Sequence, residues 1–141
     1  MVDQAKPTVL VCEANEGLQE AFRLMLDEWA VVQFVSKASE WLPLLAKRHW
    51  DFFVLDLDGQ TEQPLELVRN IRLAYPGLKM LLVAGEFDYD FQVACVKLGQ
   101  LSFLTKPFSA PAAVSKIKTL LGLEAPSIRT RIVKIPLADG G

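Results

Sequence analysis

Two aspartates follow an apolar run near the middle of the sequence. The segment FFVLDLDGQ covers residues 52–60, and Asp56 and Asp58 stand where its hydrophobic residues end. A carboxylate at the end of a buried strand suits two reactions of phosphoryl groups. A phosphatase attacks with the first aspartate and moves protons with the second, whereas a signalling domain accepts the phosphoryl group on the first. A third interpretation is that Asp56 is only structural.

Strand and helix patterns alternate along the chain and would position these aspartates. Short apolar runs rich in β-branched residues predict strands, and apolar residues at helical spacing predict the helices between them. Strands joined by crossover helices run parallel, with helices on both faces of the sheet. We therefore predict an α/β fold with a doubly wound, five-stranded parallel sheet. The predicted strands are residues 8–12, 30–36, 51–57, 79–85 and 101–105, and the predicted helices are residues 16–29, 39–50, 64–75, 88–99 and 109–122.

Helix starts are predicted from capping residues. Asn15 and Ser109 precede the first and last helices, where a side-chain oxygen can accept a backbone N–H. Ser39 is expected to begin the second helix. The predicted core face of that second helix consists of Trp41, Leu42, Leu45 and Trp50.

Four positions at strand ends are predicted to share one pocket. Ligands of doubly wound sheets bind beyond the carboxyl ends of the strands, which here are followed by Glu13, Asp56 and Lys106, with Ala84 closing the fourth strand. Asp56 and Lys106 would then neutralise each other. Glu13 is equally compatible with a solvent-exposed loop, and the Asp58-Gly59 pair is typical of a turn.

Four segments resemble the response regulator receiver domain of two-component signalling, over residues 8–123. They are VLVCEAN at the first strand, DFFVLDLD at the third, LLVAGEFD at the fourth and KLGQLSFLTKPF around the fifth. The resemblance implies a flavodoxin-like strand order of 2-1-3-4-5. It also implies that Asp56 is the phosphoacceptor, that Lys106 pairs with the phosphoryl group, and that a cis peptide precedes Pro107.

The resemblance further implies a metal site and a switch, and both are incomplete in this sequence. Members of the family hold Mg²⁺ with two acidic residues after the first strand, where this chain has Glu13 and Ala14. Glu13 and Asp56 are left as weak metal ligands, so we expect impaired Mg²⁺ binding. The switch hydroxyl is replaced by Ala84, and the switch aromatic residue is Phe103.

Asp58 is expected to compensate partly for the missing carboxylate. It lies two residues beyond Asp56, and that spacing in an extended strand puts both side chains on the same side. The acidic pocket is therefore predicted to contain Glu13 and Asp58 beside the acceptor.

Two other functions stay open at this point. The chain could be a phosphorylation-independent pseudo-receiver that acts only as an interaction module. The segment VLDLDGQ also resembles the first motif of haloacid dehalogenase-like, Mg²⁺-dependent phosphatases. That family needs a later Ser or Thr and an acidic pair after a lysine, whereas here the fourth strand ends in Ala84 and only Glu124 and Asp139 follow Lys106. We therefore expect a protein that is not an enzyme.

Composition limits the partners. The chain has 141 residues, 51% of them hydrophobic, and a formal net charge of −2, which favours one folded domain and gives no sign of direct nucleic-acid or membrane binding. Its two cysteines form no disulfide framework. We expect a cytoplasmic protein whose partners are a sensor histidine kinase or phosphotransfer protein and a downstream protein of unknown identity.

Three parts of the chain are distinguished. Residues 1–7 are an N-terminal lead-in, residues 8–123 the receiver domain, and residues 124–141 a C-terminal tail or linker. The helices of a helix-turn-helix output domain are not found after residue 123 of the given sequence, so output is expected through protein–protein contact or through a partner domain outside it. The tail segment SIRTRIVKIPL alternates apolar and polar residues, which suits a strand at a sheet edge as well as an unfolded linker.

An interface is predicted at the start of the fourth helix. Family members commonly dimerise through the fourth helix, fifth strand and fifth helix. The segment FDYDFQ places three aromatic side chains at the beginning of that face. We expect Phe87, Tyr89 and Phe91 to anchor a homodimer.

Overall fold

The computed structural model describes residues 5–123, so residues 1–4 of the predicted lead-in and the whole tail, 124–141, lie outside the described residues. The described chain alternates five strands with five α-helices. Strands are β1 (Thr8–Cys12), β2 (Val31–Val35), β3 (Phe52–Asp56), β4 (Lys79–Ala84) and β5 (Leu101–Thr105). Helices are α1 (Glu16–Leu26), α2 (Ala38–Lys47), α3 (Pro64–Ala74), α4 (Tyr89–Val96) and α5 (Ala110–Leu121).

The five strands form one parallel sheet in the order β2-β1-β3-β4-β5. The register aligns the carboxyl ends of neighbouring strands, because Asp56 pairs with Val83 and Ala84 pairs with Thr105. This is the predicted doubly wound, flavodoxin-like arrangement, which is therefore confirmed. Its consequence is that the loops after β1, β3, β4 and β5 meet at one edge of the sheet.

The core consists of two apolar layers, one on each face of the sheet. Helices α1 and α5 cover one face, where Phe22 and Ile117 are fully buried. Helices α2, α3 and α4 cover the other, with Trp41 and Val68 at its centre. All five residues of β3 are buried, as expected for a central parallel strand with helices on both sides.

Two helix caps agree with the sequence. The side chain of Asn15 accepts a hydrogen bond from the Leu18 N–H at 2.9 Å, and that of Ser109 accepts one from Ala112 at 3.2 Å. Helix α5 ends at Gly122, whose φ of +77° lies in the left-handed region that favours glycine. These local signals fix the entry of the chain into α1 and α5.

The prediction for the second helix was wrong in three respects: its start, its end and one residue of its core face. Helix α2 begins at Ala38 after Lys37, so Ser39 lies inside it, and it ends before Trp50. The chain is extended at Arg48, so Trp50 reaches the core from the loop, with its indole N–H donating to Leu44 O at 2.9 Å. Leu42 is 54% exposed instead of facing the core.

The end of the sheet opposite the carboxyl strand ends is held by Arg72, a residue that the sequence did not single out. Its guanidinium group is almost fully buried and donates hydrogen bonds to backbone carbonyls of two loops. The acceptors are Tyr75, Pro76 and Leu78 before β4, and Gly99 and Gln100 before β5. Burial lowers the pKa of Arg72 from its usual value.

Candidate functional site

Lys106 and Asp56 form the centre of the site. The Lys106 ammonium lies 3.0 Å from each carboxylate oxygen of Asp56. Asp56 is 7% exposed at the end of β3, and the Lys106 side chain comes from the loop after β5. The backbone N–H of Lys106 donates to Ala84 O at 2.9 Å, which fixes this loop against the end of β4, and the Lys106–Pro107 peptide is cis as predicted.

Asp58 reaches the same lysine by a different route from the predicted one. Residues Leu57–Gly59 form a short 3₁₀ turn, so Asp58 does not continue the extended strand. Its backbone N–H donates to Asp56 Oδ1 at 3.1 Å, and its own carboxylate lies 3.4 Å from Lys106 Nζ. The Gly85 N–H also donates to Asp58 Oδ2 at 3.0 Å. Asp58 therefore both forms a turn and lies in the pocket beside Lys106.

Glu13 is buried, with only 2% of its surface exposed, so the interpretation as a solvent-exposed loop residue was wrong. Its backbone N–H donates to Val35 O, and its side-chain Oε2 accepts the Asn15 N–H at 3.1 Å. Burial raises the pKa of Glu13, and the negative charge of Asp56 raises it further, against the opposing effects of the Asn15 hydrogen bond and Lys106. Glu13 therefore holds a proton more readily than an exposed glutamate.

Lys106 keeps its charge at this site. Burial alone would lower its pKa, but the hydrogen bond and negative charge of Asp56 outweigh that effect, and the net shift of the Lys106 pKa is upward. A permanent cation beside a carboxylate nucleophile is suited to neutralising the oxygens of an incoming phosphoryl group.

The donor set for a metal ion is small. Ala14 is exposed and offers no side-chain oxygen, and residues 5–123 contain no group of three or more acidic, histidine or cysteine side chains placed to hold an ion. Glu13 and Asp56 supply hard oxygen donors, which fit the limited protein ligation that Mg²⁺ accepts when water and phosphate complete its shell. Both oxygens of Asp56 are already bonded to Lys106, so this role of Glu13 and Asp56 stays a prediction.

The two positions where a switch was predicted lie among apolar side chains. Ala84 is buried and lines a cavity of about 230 Å³ together with Asp58, Phe87 and Phe91. The ring of Phe103 is half-buried and lies 5.1 Å from Phe87, edge to face, and 6.3 Å from Phe91. No hydroxyl is present on Ala84 or Phe103, the two positions where the family resemblance implies a switch.

This aromatic cluster contains two of the three residues that were predicted to anchor the interface. Phe87 and Phe91 pack against each other and against Phe103, so they are half-buried inside the domain. Only Tyr89 is widely exposed, at 76%. The sequence did not single out Val93 and Val96, which follow Tyr89 at helical spacing on α4 and are 39% and 68% exposed. The spacing of three to four residues that starts at Tyr89 could have indicated this exposed face of the helix from sequence.

Further polar and thiol groups surround Asp56. The Gln60 side chain donates to Asp56 O at 3.1 Å and approaches Cys12 Sγ at 3.5 Å, contacts that loop sequence does not reveal. Cys12 and Cys95 are free and buried. Burial raises the pKa of each thiol to about 11, which makes both poor nucleophiles at neutral pH.

A five-stranded parallel sheet in this order, with an aspartate and a lysine paired at its carboxyl edge, defines a receiver-type signalling domain. The sequence model of the response regulator receiver domain matches residues 9–118, and the chain belongs to that family. Such domains act in two-component signalling, where they interact with histidine kinases or phosphotransfer proteins. They typically bind Mg²⁺ at the acidic pocket and are generally signalling modules and not enzymes.

Individual relatives agree with this assignment. The chain is 30% identical over 111 residues to the response regulator protein FleR of Pseudomonas aeruginosa, an alignment that covers 77% of this chain and 23% of FleR. It is 27% identical over 125 residues to the transcriptional regulatory protein GlrR of Escherichia coli, covering 87% of this chain and 28% of GlrR. The chain thus spans about a quarter of the length of these two relatives.

A solved structure shows the same fold. A response regulator from Thermotoga maritima is 24% identical and superposes with a TM-score of 0.73, over 83% of this chain and 98% of that one. Among the helices of residues 5–123, none is long and apolar enough to cross a membrane.

Proposed function

We propose that the chain is an atypical receiver domain in a phosphorelay, in which Asp56 is the phosphoacceptor but both metal binding and switching are impaired. The observation that carries this proposal is the contrast within one pocket. The acceptor and its lysine are in contact at 3.0 Å, while the adjacent metal and switch positions are Ala14 and Ala84.

The chain's own groups support acceptance of a phosphoryl group. An Asp56 carboxylate oxygen would form the new bond to phosphorus as the bond to the donor's leaving group breaks. Lys106 would then move from the carboxylate to the phosphoryl oxygens, within the reach of its side chain. Bound Mg²⁺ would supply additional neutralisation of phosphoryl charge, and Glu13 and Asp56 would hold it weakly because position 14 contributes no carboxylate. Asp58, 3.4 Å from Lys106, would compete with Asp56 for the lysine, and its partial compensation for the missing carboxylate stays a prediction.

The switch is expected to respond weakly. Ala84 cannot donate a hydrogen bond to a phosphoryl oxygen, so a phosphoryl group on Asp56 would form no side-chain hydrogen bond at the end of β4. Phe103 is packed against Phe87 and Phe91 and has no polar group to favour an outward position. Phosphorylation would therefore change the charge of the pocket more than the shape of the distant face.

Output is proposed to occur through protein–protein contact on the face formed by α4, β5 and α5. Tyr89, Val93 and Val96 form an exposed apolar stripe on α4, which is the kind of patch that marks an interface. We assign homodimerisation to this stripe, with Tyr89 as its aromatic anchor, and transfer the role predicted for Phe87 and Phe91 to the two valines.

A second candidate function is the phosphorylation-independent pseudo-receiver, an interaction module that never uses its acceptor. The bonding of both Asp56 oxygens to Lys106 favours it, because the charges of both groups are satisfied without a phosphate. The phosphatase interpretation has less support, since its nucleophile position lies on the third strand and Asp58 faces Lys106 in a turn.

Two experiments separate these functions, a phosphorylation assay and a hydrolysis assay. The protein is incubated with acetyl phosphate over a range of Mg²⁺ concentrations and its intact mass is measured, with Asp56→Asn as the control. A gain of one phosphoryl group confined to the wild type supports the atypical receiver. No gain at any Mg²⁺ concentration supports the pseudo-receiver. Hydrolysis of p-nitrophenyl phosphate that is lost in both Asp56→Asn and Asp58→Asn would support the phosphatase.

A further inference from the structure

Another cavity, of about 280 Å³, lies at the end of the sheet opposite the Asp56 pocket. Its walls come from two segments, the one between α2 and β3 and the one between α3 and β4. Trp50 stands two residues before β3 and Leu78 directly precedes β4, so the cavity lies where these strands begin. Within the described chain, none of its lining residues belongs to the Asp56 pocket or to the exposed stripe on α4.

Both walls of this cavity are fixed by buried hydrogen bonds. The Arg72 guanidinium donates to Tyr75 O and Leu78 O, which fixes the segment before β4. On the other side, the Trp50 ring is almost fully buried and its indole N–H donates to Leu44 O at 2.9 Å. A ligand would therefore enter a cavity that already has its shape, and ordering of the walls would cost little free energy on binding.

The Arg48 guanidinium gives the cavity a positive charge that has no carboxylate partner. It lies over the Trp50 ring, 4.4 Å from the ring centroid, on the exposed surface at the end of α2. No acidic side chain of residues 5–123 forms an ion pair with it or lines the cavity. The nearest acid in sequence, Asp51, is bonded to the His49 ring and to the backbone N–H at the start of β1. A guanidinium stacked on a ring keeps the N–H donors at its edge available for a carboxylate.

The rest of the cavity is apolar and small. Leu45, Trp50 and Leu78 line it and are almost fully buried, and Tyr75 is half-buried. Pockets for small molecules usually have volumes of about 300–1,000 Å³, so this cavity is better suited to a single inserted side chain than to a free metabolite. Aromatic and arginine side chains are also enriched where proteins bind each other.

We propose that this cavity binds a partner protein through one apolar side chain and a carboxylate next to it. The apolar side chain contacts Trp50 and Tyr75, and the neighbouring Asp or Glu of the partner accepts two hydrogen bonds from the Arg48 guanidinium. An acidic partner segment fits this surface because Lys47, next to Arg48, is also exposed and basic. The contact requires no phosphoryl group on Asp56, so it is independent of the function proposed above.

Two capped dipeptides test the proposal by NMR titration of the full chain. N-acetyl-Glu-Phe-amide carries a carboxylate beside an aromatic side chain, and N-acetyl-Gln-Phe-amide is its uncharged counterpart. The Trp50 indole N–H and the Leu78 amide report on the cavity, and the Trp29 indole N–H, on the opposite face of the sheet, is the remote control. We expect the glutamate peptide to shift both cavity signals and to bind at least about fivefold more tightly than the glutamine peptide, because hydrogen bonds between charged groups are the stronger ones.

Three variants connect the binding to the cavity. Arg48→Gln removes the cation from an exposed position, and Lys47→Gln, one residue earlier and not among the lining residues, is the matched control. Gly77→Leu obstructs the cavity instead, at a position where an added Cβ meets no atom within 4 Å, and urea titration checks that its stability is unchanged. We expect Arg48→Gln and Gly77→Leu each to weaken binding of the glutamate peptide at least about fivefold, and Lys47→Gln to weaken it less than about twofold.

Four results would overturn the proposal. Unchanged Trp50 and Leu78 signals at about 10 mM glutamate peptide, a concentration at which even a weak site fills, would show that the cavity binds no such segment. Equal affinities of the two peptides would show that the carboxylate is not recognised. Equal effects of Arg48→Gln and Lys47→Gln would assign the binding to general charge attraction. Wild-type dimers in sedimentation that Arg48→Gln and Gly77→Leu both abolish would assign the cavity to a second copy of the chain.

Discussion

The Lys106 ammonium group lies equidistant, at 3.0 Å, from the two carboxylate oxygens of Asp56. These residues are 50 positions apart in sequence: Asp56 is the last residue of β3 and Lys106 follows β5, so the contact exists only because the sheet aligns its carboxyl ends. The pair satisfies a buried carboxylate and, under the proposed function, would supply the cation that an incoming phosphoryl group needs. Structure and chemistry at this site therefore depend on the same contact.

Removal of the lysine should destabilise the domain. In Lys106→Met, Asp56 stays almost buried but loses its charge partner, which we expect to lower the free energy of unfolding by about 1–3 kcal/mol. Urea titration of wild type and variant measures the difference. Lys97→Met, at an exposed lysine on the end of α4, is the control and should change stability by less than about 0.5 kcal/mol. Equal effects of the two substitutions would mean that the pair contributes nothing to stability.

Glu13 should make stability depend on acidic pH. Its pKa is higher in the folded than in the unfolded chain, so the folded state binds more protons between the usual value of 4.5 and the folded pKa. By linkage, the free energy of unfolding falls as the pH rises through that interval. Glu13→Gln keeps an acceptor for the Asn15 N–H and should remove this dependence. Denaturant titrations from pH 4 upward test it against Glu28→Gln, an exposed control; parallel curves for all three proteins would contradict it.

A hydroxyl at position 84 should restore coupling between the pocket and the aromatic cluster. Ala84→Thr can donate to a phosphoryl oxygen and has the adjacent cavity of about 230 Å³ to accommodate its extra atoms. In the presence of acetyl phosphate and Mg²⁺, we expect larger amide shift changes at Phe103 and along α4 than in the wild type. Ala84→Val has the same shape without the hydroxyl and should behave like the wild type; equal changes in both variants would exclude the hydroxyl as the cause.

A carboxylate at position 14 should strengthen Mg²⁺ binding. Ala14→Asp adds an anionic oxygen next to Glu13, and we expect affinity to rise about tenfold, which corresponds to about 1.4 kcal/mol. Isothermal titration with MgCl₂ measures it. Ala14→Asn, of the same size but uncharged, separates charge from shape. Unchanged affinity in Ala14→Asp would contradict a metal site at Glu13 and Asp56.

The exposed stripe on α4 should control self-association. Tyr89→Glu places a charge in the proposed homodimer interface, and we expect the dimer dissociation constant to rise at least about tenfold, since aromatic anchors dominate such contacts. Sedimentation over a range of concentrations measures it. Leu73→Glu, at an apolar residue of α3 that is 81% exposed, is the matched control. A wild type that stays monomeric at high concentration would exclude the interface.

The sequence predicted a parallel, doubly wound sheet and the meeting of Asp56 with Lys106, because both follow from long-range rules of parallel sheets, whereas the strand order was implied by the resemblance to the receiver family. Strand alternation and crossover handedness leave few topologies, and strand ends then share one edge. Asn15 and Ser109 were predictable as caps because capping is local. These features can be predicted because the patterns that determine them are visible in one sequence.

Other features depend on contacts that the pattern of apolar and polar residues does not reveal. Glu13 is buried with its backbone N–H bonded to Val35 O and its carboxylate bonded to the Asn15 N–H. The residue type alone does not indicate these contacts. Phe87 and Phe91 turn inward because Phe103, more than ten residues later, provides a ring to pack against. Asp58 leaves the strand because its own N–H bonds Asp56 and forms a turn.

Because of Arg72, we expect the two ends of the sheet to differ in how well they tolerate amino-acid substitutions. One buried cation holds five carbonyl oxygens before β4 and β5, so a shorter or uncharged side chain there would leave several acceptors without a donor at once. The pocket end, by contrast, has the small side chains of Ala14 and Ala84 next to Glu13 and at the end of β4. We therefore expect replacement of Arg72 to destabilise the sheet more than replacement of Ala14 or Ala84.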